Sequence, residues 1–175
     1  MCGVVERLKD ELPDSTIVKR CSAEGCTVPL KNAPTTHLVL DLDHPFFGLQ
    51  DKVHCDFLFI SSECDGADNW VVPLELKRGS PDATEIVSQL QTGSGIAQAR
   101  IPDDHMTHFL PIGAFGGRLH KTQRDKLRKS RVLFRRKKFE IKLIRCGTQL
   151  ITAFRSNHGT YEYPPQEAHR SQPSS

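Results

Sequence analysis

Residues 54–77, His54-Cys55-Asp56-Phe57-Leu58-Phe59-Ile60-Ser61-Ser62-Glu63-Cys64-Asp65-Gly66-Ala67-Asp68-Asn69-Trp70-Val71-Val72-Pro73-Leu74-Glu75-Leu76-Lys77, decide the fold. Residues 54–61 and 70–77 are apolar on both faces, as strands in the middle of a covered sheet are. Asp65-Gly66 between them is the strongest short hairpin signal, because these residue types accept the positive φ of a tight turn. A two-residue turn there sets Phe59 opposite Val72, Phe57 opposite Leu74 and Cys55 opposite Leu76 on one face. The other face then holds Asp56 opposite Glu75 and His54 opposite Lys77. Directly opposed residues have Cβ atoms about 4.5–5.5 Å apart. Two carboxylates that close repel each other unless a shared cation lies between them, so the register alone points to a metal site. Pro73 conflicts with the simplest version. It falls at a hydrogen-bonded pair with no N–H to give, which predicts a bulge or a longer turn between Ser61 and Trp70. A slip of one residue would carry Asp56 to the opposite face.

Working outward, Val4, Val5, Leu8 and Leu12 recur at helical spacing until Pro13, predicting a short amphipathic helix over the first twelve residues. Thr16-Ile17-Val18 reads as a short strand and Cys21 to Thr36 as a loop. His37 to Asp43 alternates with period two, a half-buried strand with its leucines inward. After the hairpin, Pro81 and Asp82 start a helix that runs into a Gln-rich stretch and weakens at Gly93 and Gly95. Thr107 to Phe115 is an apolar strand closed by Gly116-Gly117. A basic helix follows over 120–130, then strands near 131–145 and 148–154. From Ser156 the chain is polar and Pro-rich, and 156–175 reads as a disordered tail. The expectation is one α/β domain over 1–155, with a central mixed β-sheet flanked by helices.

The chain has 175 residues, 37% hydrophobic and 26% charged, enough to bury a core without disulfides or metals as staples. Its apolar runs are strand-sized, which argues against a membrane partner, and the N-terminus shows no secretory pattern. The six cysteines are therefore expected as reduced thiols in a cytosolic-type compartment. The net charge of +3 hides an asymmetry: Arg118 to Arg145 carries 13 Lys or Arg against Asp125 and Glu140, a net of +11, and the rest of the chain nets −8. A basic segment on an acidic body suggests a polyanionic partner, most simply nucleic acid; the alternative is a solvated basic face.

An acid on one strand followed by Glu-x-Lys on the next resembles the PD-(D/E)XK nuclease superfamily, the restriction-endonuclease-like fold. The resemblance covers roughly residues 1–115 and rests on short motifs. It implies an α-β-β-β-α-β core and hydrolysis of nucleic-acid phosphodiester bonds with Mg²⁺ or Mn²⁺. Carried over, Asp56 and Glu75 are the metal-binding carboxylates and Lys77 the lysine assisting the attacking water. Gln89 is the assisting glutamine of the next helix, with Gln91 as the alternative, and Glu6 is the accessory glutamate that some branches place in the first helix. Cys55 stands where the motif's name has proline. The resemblance implies nucleic acid as the partner, DNA ahead of RNA, and homodimerisation where two strands are cut. The phosphate contacts fall to Arg118, Lys121, Arg124, Lys126, Arg128, Lys129, Arg131, Arg135, Arg136, Lys137 and Lys138.

Other readings stand beside it. Asp56 and Lys77 could form a buried ion pair with Glu75 capping or solvent-facing. The same fold could serve as a non-catalytic module binding nucleic acid or protein. Glu140-Ile141-Lys142 repeats the tripeptide among Arg135-Arg136-Lys137-Lys138, and there it reads as a half-exposed strand with Glu140 in a surface ion pair. The basic tetrad also fits a nuclear localisation signal in a nucleated cell. Cys21, Cys26, His37, His44, Cys55, Cys64 and His105-x-x-His108 raise structural zinc, although no pair has Cys-x-x-Cys spacing. Gly113-x-x-Gly116-Gly117 lacks the Gly-Lys-Ser/Thr of a phosphate loop and reads as a turn.

Overall fold

The computed structural model describes residues 3–62, 69–79, 81–103 and 107–155. The tail and the Asp65-Gly66 turn lie outside the described residues. Helix α1 (Gly3–Glu11) buries Val4, Val5 and Leu8 on one side, at the spacing read from the sequence. Pro13 follows and cannot continue the helix. A short 3-10 turn (Asp14–Thr16) leads into strand β1 (Ile17–Val18). The expected loop over 21–36 instead contains a hairpin, β2 (Cys21–Ala23) with β3 (Cys26–Val28). Its turn residues Glu24 and Gly25 take φ of 49° and 75°, the positive pair that matches strand twist.

Strands β4 (His37–Asp41), β5 (Phe57–Ser61) and β6 (Asn69–Lys77) form an antiparallel meander. The β5–β6 register is the expected one, with Phe57 opposite Leu74 and Phe59 opposite Val72. Most of the segment between Ser61 and Trp70, where the sequence predicts a bulge or longer turn, lies outside the described residues, but within the described ladder Pro73 is accommodated with the pairing unbroken. The reason lies in backbone parity. The N–H of Leu42 bonds the carbonyl of Asp56 and that of Ser62 bonds the carbonyl of Thr36, so the even-numbered residues here turn their backbone groups toward β4. Leu58 and Pro73 are therefore a non-hydrogen-bonded pair, out of phase with a two-residue turn. The nitrogen of Pro73 points to the opposite neighbour. There Leu110-Pro111 divides the single strand expected over 107–115 into β7 (Thr107–Phe109) and β8 (Ile112–Phe115), so no ladder bond is lost at the break.

Helix α2 (Ala83–Arg100) is capped by Asp82, whose carboxylate accepts from the amides of Thr84 and Glu85. It runs straight through Gly93 and Gly95, where the sequence predicted a weakened end. Gly93 serves close packing: a Cβ there would collide with Cys55 Sγ and lie 3.0 Å from Pro73 Cβ. Helix α3 (Lys121–Lys129), strands β9 (Arg131–Phe134), β10 (Lys137–Glu140) and β11 (Lys142–Arg145), and helix α4 (Leu150–Arg155) complete the domain. The strand expected over 148–154 is thus helical. Leu150, Ala153 and Phe154 share one helical face and are buried, with Phe154 stacked on Trp70 at 4.3 Å, so packing overrides the β-branched composition.

The sheet order is β1-β4-β5-β6-β8-β11, with β7 also beside β6, antiparallel as far as β6 and parallel beyond it. The protein is α/β, with a mixed central sheet and four helices among the described residues. Leu38, Leu40, Leu58, Ile60 and Val71 pack with α1 and α2 on one face. Val39, Phe57, Phe59, Val72, Leu74 and Leu76 pack with the β2–β3 hairpin and α4 on the other. Cys26 and Cys146 form a disulfide, Cα to Cα 5.2 Å, tying that hairpin to the end of β11. This corrects the expectation of six reduced thiols: the partners are 120 residues apart, a pairing that no local pattern announces. Among the described residues no helix is long and apolar enough to cross a membrane.

Candidate active site

Side chains alternate along β6, so Glu75 and Lys77 share the face of Val71, the face covered by α1 and α2. Asp56 reaches them from the residue before β5, where the ladder ends. The Leu76 N–H, which a longer ladder would give to the carbonyl of Cys55, instead bonds Asp56 Oδ2 at 2.7 Å. In return the Asp56 N–H bonds Glu75 Oε2 at 3.2 Å. The two carboxylates meet, as the register implied, but through crossed backbone bonds and not as a plain cross-strand pair. Two neighbours differ from expectation because the chain leaves the ladder there. Cys55 turns under α2, buried against Gly93, and does not face Leu76. His54 bonds Asp43 Oδ1 at 2.9 Å and donates to the carbonyl of Lys52 at 2.7 Å, with no part opposite Lys77.

The electrostatics are those of a compressed acidic pair. Glu75 is 0% exposed. Burial pushes Asp56 up to about 6, against the pull of the Leu76 N–H and Lys77. Burial, and then the charge of Asp56, push Glu75 up to about 7. Lys77 Nζ lies 3.0 Å from Glu75 Oε1 and 3.7 Å from Glu85. Burial draws its pKa down, but the bond to Glu75 and the charges of Glu75, Glu24 and Glu85 hold it above the ordinary lysine value. One ammonium thus faces two carboxylates held close together.

That donor set suits a hard divalent ion. Mg²⁺ takes one or two carboxylates and keeps several waters, so it needs no all-protein cage. Among the described residues no three His, Cys, Asp or Glu side chains gather as such a cage would require. The zinc reading loses a ligand outright, because Cys26 is disulfide-bonded.

Helix α2 separates the two candidate glutamines. Gln91 donates to the carbonyl of Leu133 at 2.9 Å and accepts from its N–H at 2.8 Å, strapping α2 to β9. Gln89 is buried, and its Oε1 finds no hydrogen-bond partner among the described residues. It lies on the inward face of α2 between Ile86, which neighbours Gly113 beside Glu75, and Gly93, which presses on Pro73. The structure therefore brings Asp56, Glu75 and Lys77 together and sets Gln89 over the same strands. Glu6 is not among them: it is exposed on α1 and paired with Lys9 at 3.2 Å. Two acids that the sequence reading passed over act on the site. Glu24, on the Glu-Gly turn of the hairpin, bears on both Asp56 and Lys77, and Asp43 bears on Asp56.

The basic segment divides in two. Arg135 reaches the carbonyls of Ile101 and Pro102 and the hydroxyl of Thr107, pairs with Asp103 at 2.8 Å and lies over the Phe134 ring. Arg131 pairs with Glu140 at 2.6 Å and donates to the carbonyls of Arg128 and Ser130. These two cations are engaged within the chain, Arg135 with the 101–107 segment and Arg131 in a surface pair across the β9–β10 hairpin. Arg118, Lys121, Arg124, Lys126, Arg128, Lys129, Arg136, Lys137 and Lys138 are at least partly exposed. Searched against protein-family models, curated proteins and solved structures, the chain matches none, so function has to be read from the Asp56–Glu75–Lys77 geometry itself.

Proposed function

We propose that the chain is a metal-dependent nuclease of the PD-(D/E)XK type, hydrolysing nucleic-acid phosphodiester bonds. The supporting core would be α1, the β4–β5–β6 meander, α2 and β8, in the α-β-β-β-α-β order. One observation carries the reading: two carboxylates, the buried Glu75 and the half-buried Asp56, crossed at the end of β6 with Lys77 at 3.0 Å on the same face. Buried charges so placed are costly as structure alone and suited to a cation.

Asp56 and Glu75 would hold Mg²⁺ or Mn²⁺, which when bound supplies Lewis-acid activation and charge neutralisation to phosphodiester hydrolysis. Lys77, 3.0 Å from Glu75 on the same face, would orient or help deprotonate the attacking water, or stabilise charge growing on the phosphate. Gln89 offers a buried acceptor oxygen, unclaimed among the described residues, to position that water. The water oxygen bonds phosphorus, the bond to the leaving ribose oxygen breaks, the water gives up a proton to solvent, and the leaving oxygen takes one up from solvent to become a hydroxyl.

The test is a cleavage assay on plasmid, linear duplex, single-stranded DNA and RNA with Mg²⁺, Mn²⁺ or chelator. Metal-dependent cutting that disappears in Glu75→Ala and Lys77→Ala supports the proposal. Cutting that survives in Glu75→Ala overturns the site. Binding without cutting of any substrate transfers the fold to a non-catalytic nucleic-acid module.

A further inference from the structure

Arg124 and Arg128 of α3 and Lys142 and Arg145 of β11 line one groove, together with Phe115, Leu119 and Leu143. Among the described residues no carboxylate lines it. Three of these cations, Arg128, Lys142 and Arg145, have side chains that make no hydrogen bond or ion pair among the described residues, and Arg124 only touches the carbonyl of Leu119 at 3.4 Å. Cations gathered in a concavity without counter-charges repel one another, and a polyanion relieves that repulsion. The groove also has a fixed relation to the candidate site. Lys77 is in register with Phe115 on β8, and Phe115 with Arg145 on β11. Phe115 and Leu143 both belong to the face covered by α1 and α2, and Arg145, two residues on from Leu143, shares it. With neighbouring strands about 4.8 Å apart, Arg145 sits about 10 Å from Lys77 along one row of the sheet. Beyond it β11 is the last strand of the described sheet, so its outer backbone N–H groups add donors.

We propose that this groove between α3 and β11 holds the phosphodiester backbone of a nucleic-acid strand as it leaves the cleavage site, with Arg124, Arg128, Lys142 and Arg145 contacting successive phosphates. The inference rests on the nuclease reading for its relation to the site. It differs from a general basic face in assigning contacts to Lys142 and Arg145 and in not drawing on Arg131 and Arg135, which have ion-pair partners within the chain.

The experiment measures binding of a fluorescein-labelled DNA duplex and of the matching RNA by anisotropy, in chelator, across a salt series. Arg128→Ala/Arg145→Ala is compared with Lys137→Ala/Lys138→Ala, which removes equal charge from the exposed β10 strand. The groove variant should weaken binding about tenfold or more and lower the salt slope by about 2, one unit for each phosphate that is no longer neutralised. The β10 variant should change affinity by about twofold or less. Equal losses in both variants, a larger loss in the β10 variant, or no binding of either probe by the wild type would overturn the groove. Because chelator silences catalysis, the two readings fail separately. Wild-type cutting that Arg128→Ala/Arg145→Ala leaves intact in rate and affinity removes the groove and spares the nuclease. Groove-dependent binding without cutting removes the nuclease and spares the groove.

Discussion

The chain contains Glu-x-Lys twice, and the two copies behave as different chemical objects. Glu75-Leu76-Lys77 lies within the long central strand β6, with Glu75 at 0% exposure and bridged to Lys77. Glu140-Ile141-Lys142 straddles the end of β10 and the start of β11, so its two charges do not even share a strand. The Glu140 side chain is 77% exposed and pairs with Arg131. The tripeptide is the same; desolvation is not. Strands on both sides and a helix above remove water from the first copy, and the low-dielectric surroundings raise its carboxylate until a cation is wanted. Water screens the second, and it remains a surface ion pair.

The widest separation between the copies is expected in activity. Glu75→Ala should lower the cleavage rate about a thousandfold or more, while Glu140→Ala leaves it within about twofold, read as initial rates under one condition. Equal losses would mean that the copies are not different in kind.

The pH dependence of the metal-free protein sharpens the contrast. Asp56 at about 6 and Glu75 at about 7 lie above their unfolded values, so the native state binds more protons than the unfolded one between roughly pH 4 and 7. Stability contributed by these groups is greatest below the unfolded values and falls as pH rises through the folded ones. In chelator, the Tm should drop by on the order of 5–10 °C over that window relative to Asp56→Asn/Glu75→Gln. Added Mg²⁺ should reduce the drop, whereas Glu140→Gln should keep the wild-type profile. A wild-type profile parallel to that of the double variant would show that the first pair is hydrated like the second.

Gly93 offers a way to make the first copy more like the second. Gly93→Ala pushes a methyl group against Cys55 and Pro73 and lifts α2 from the strands, at a cost of about 2 kcal/mol and part of the activity. Gly95→Ala meets nothing within 4 Å and should stabilise by about 0.5–1 kcal/mol through helix propensity alone. Urea denaturation distinguishes the two; destabilisation by both would remove the close-approach argument. The smallest effect is expected at the surface pair itself, where Glu140→Ala should cost less than about 1 kcal/mol.

Legibility followed the same division. The β5–β6 register could be read by centring the pairing on Asp65-Gly66, because strands that are apolar on both faces choose no register by themselves; that centre sets Phe57 opposite Leu74 and Phe59 opposite Val72, as observed. Helix α1 could be read because Val4, Val5 and Leu8 mark a single stripe before Pro13. The β2–β3 hairpin could not, since three-residue strands have too little pattern, and the Glu24-Gly25 turn was the lone signal. Helix α4 reads as a strand because its residues suit one until Trp70 and the far face of the sheet are there to receive Phe154. The separation of Gln89 from Gln91 needed β9, which claims Gln91 from 42 residues away.

By itself the sequence determined the local periodicities, the pairing of β5 with β6, the helix that follows them, and which acid lies across from Glu75. These depend on side-chain alternation and on chain neighbours, which a linear string contains. Tertiary structure alone decided the crossing of Asp56 with the Leu76 amide, the disulfide between Cys26 and Cys146, the use of Arg135 as a structural tie, and the approach of Glu24 to Lys77. Each depends on which distant groups displace water around a charge or a backbone donor, and the extent of that desolvation exists only once the chain has packed.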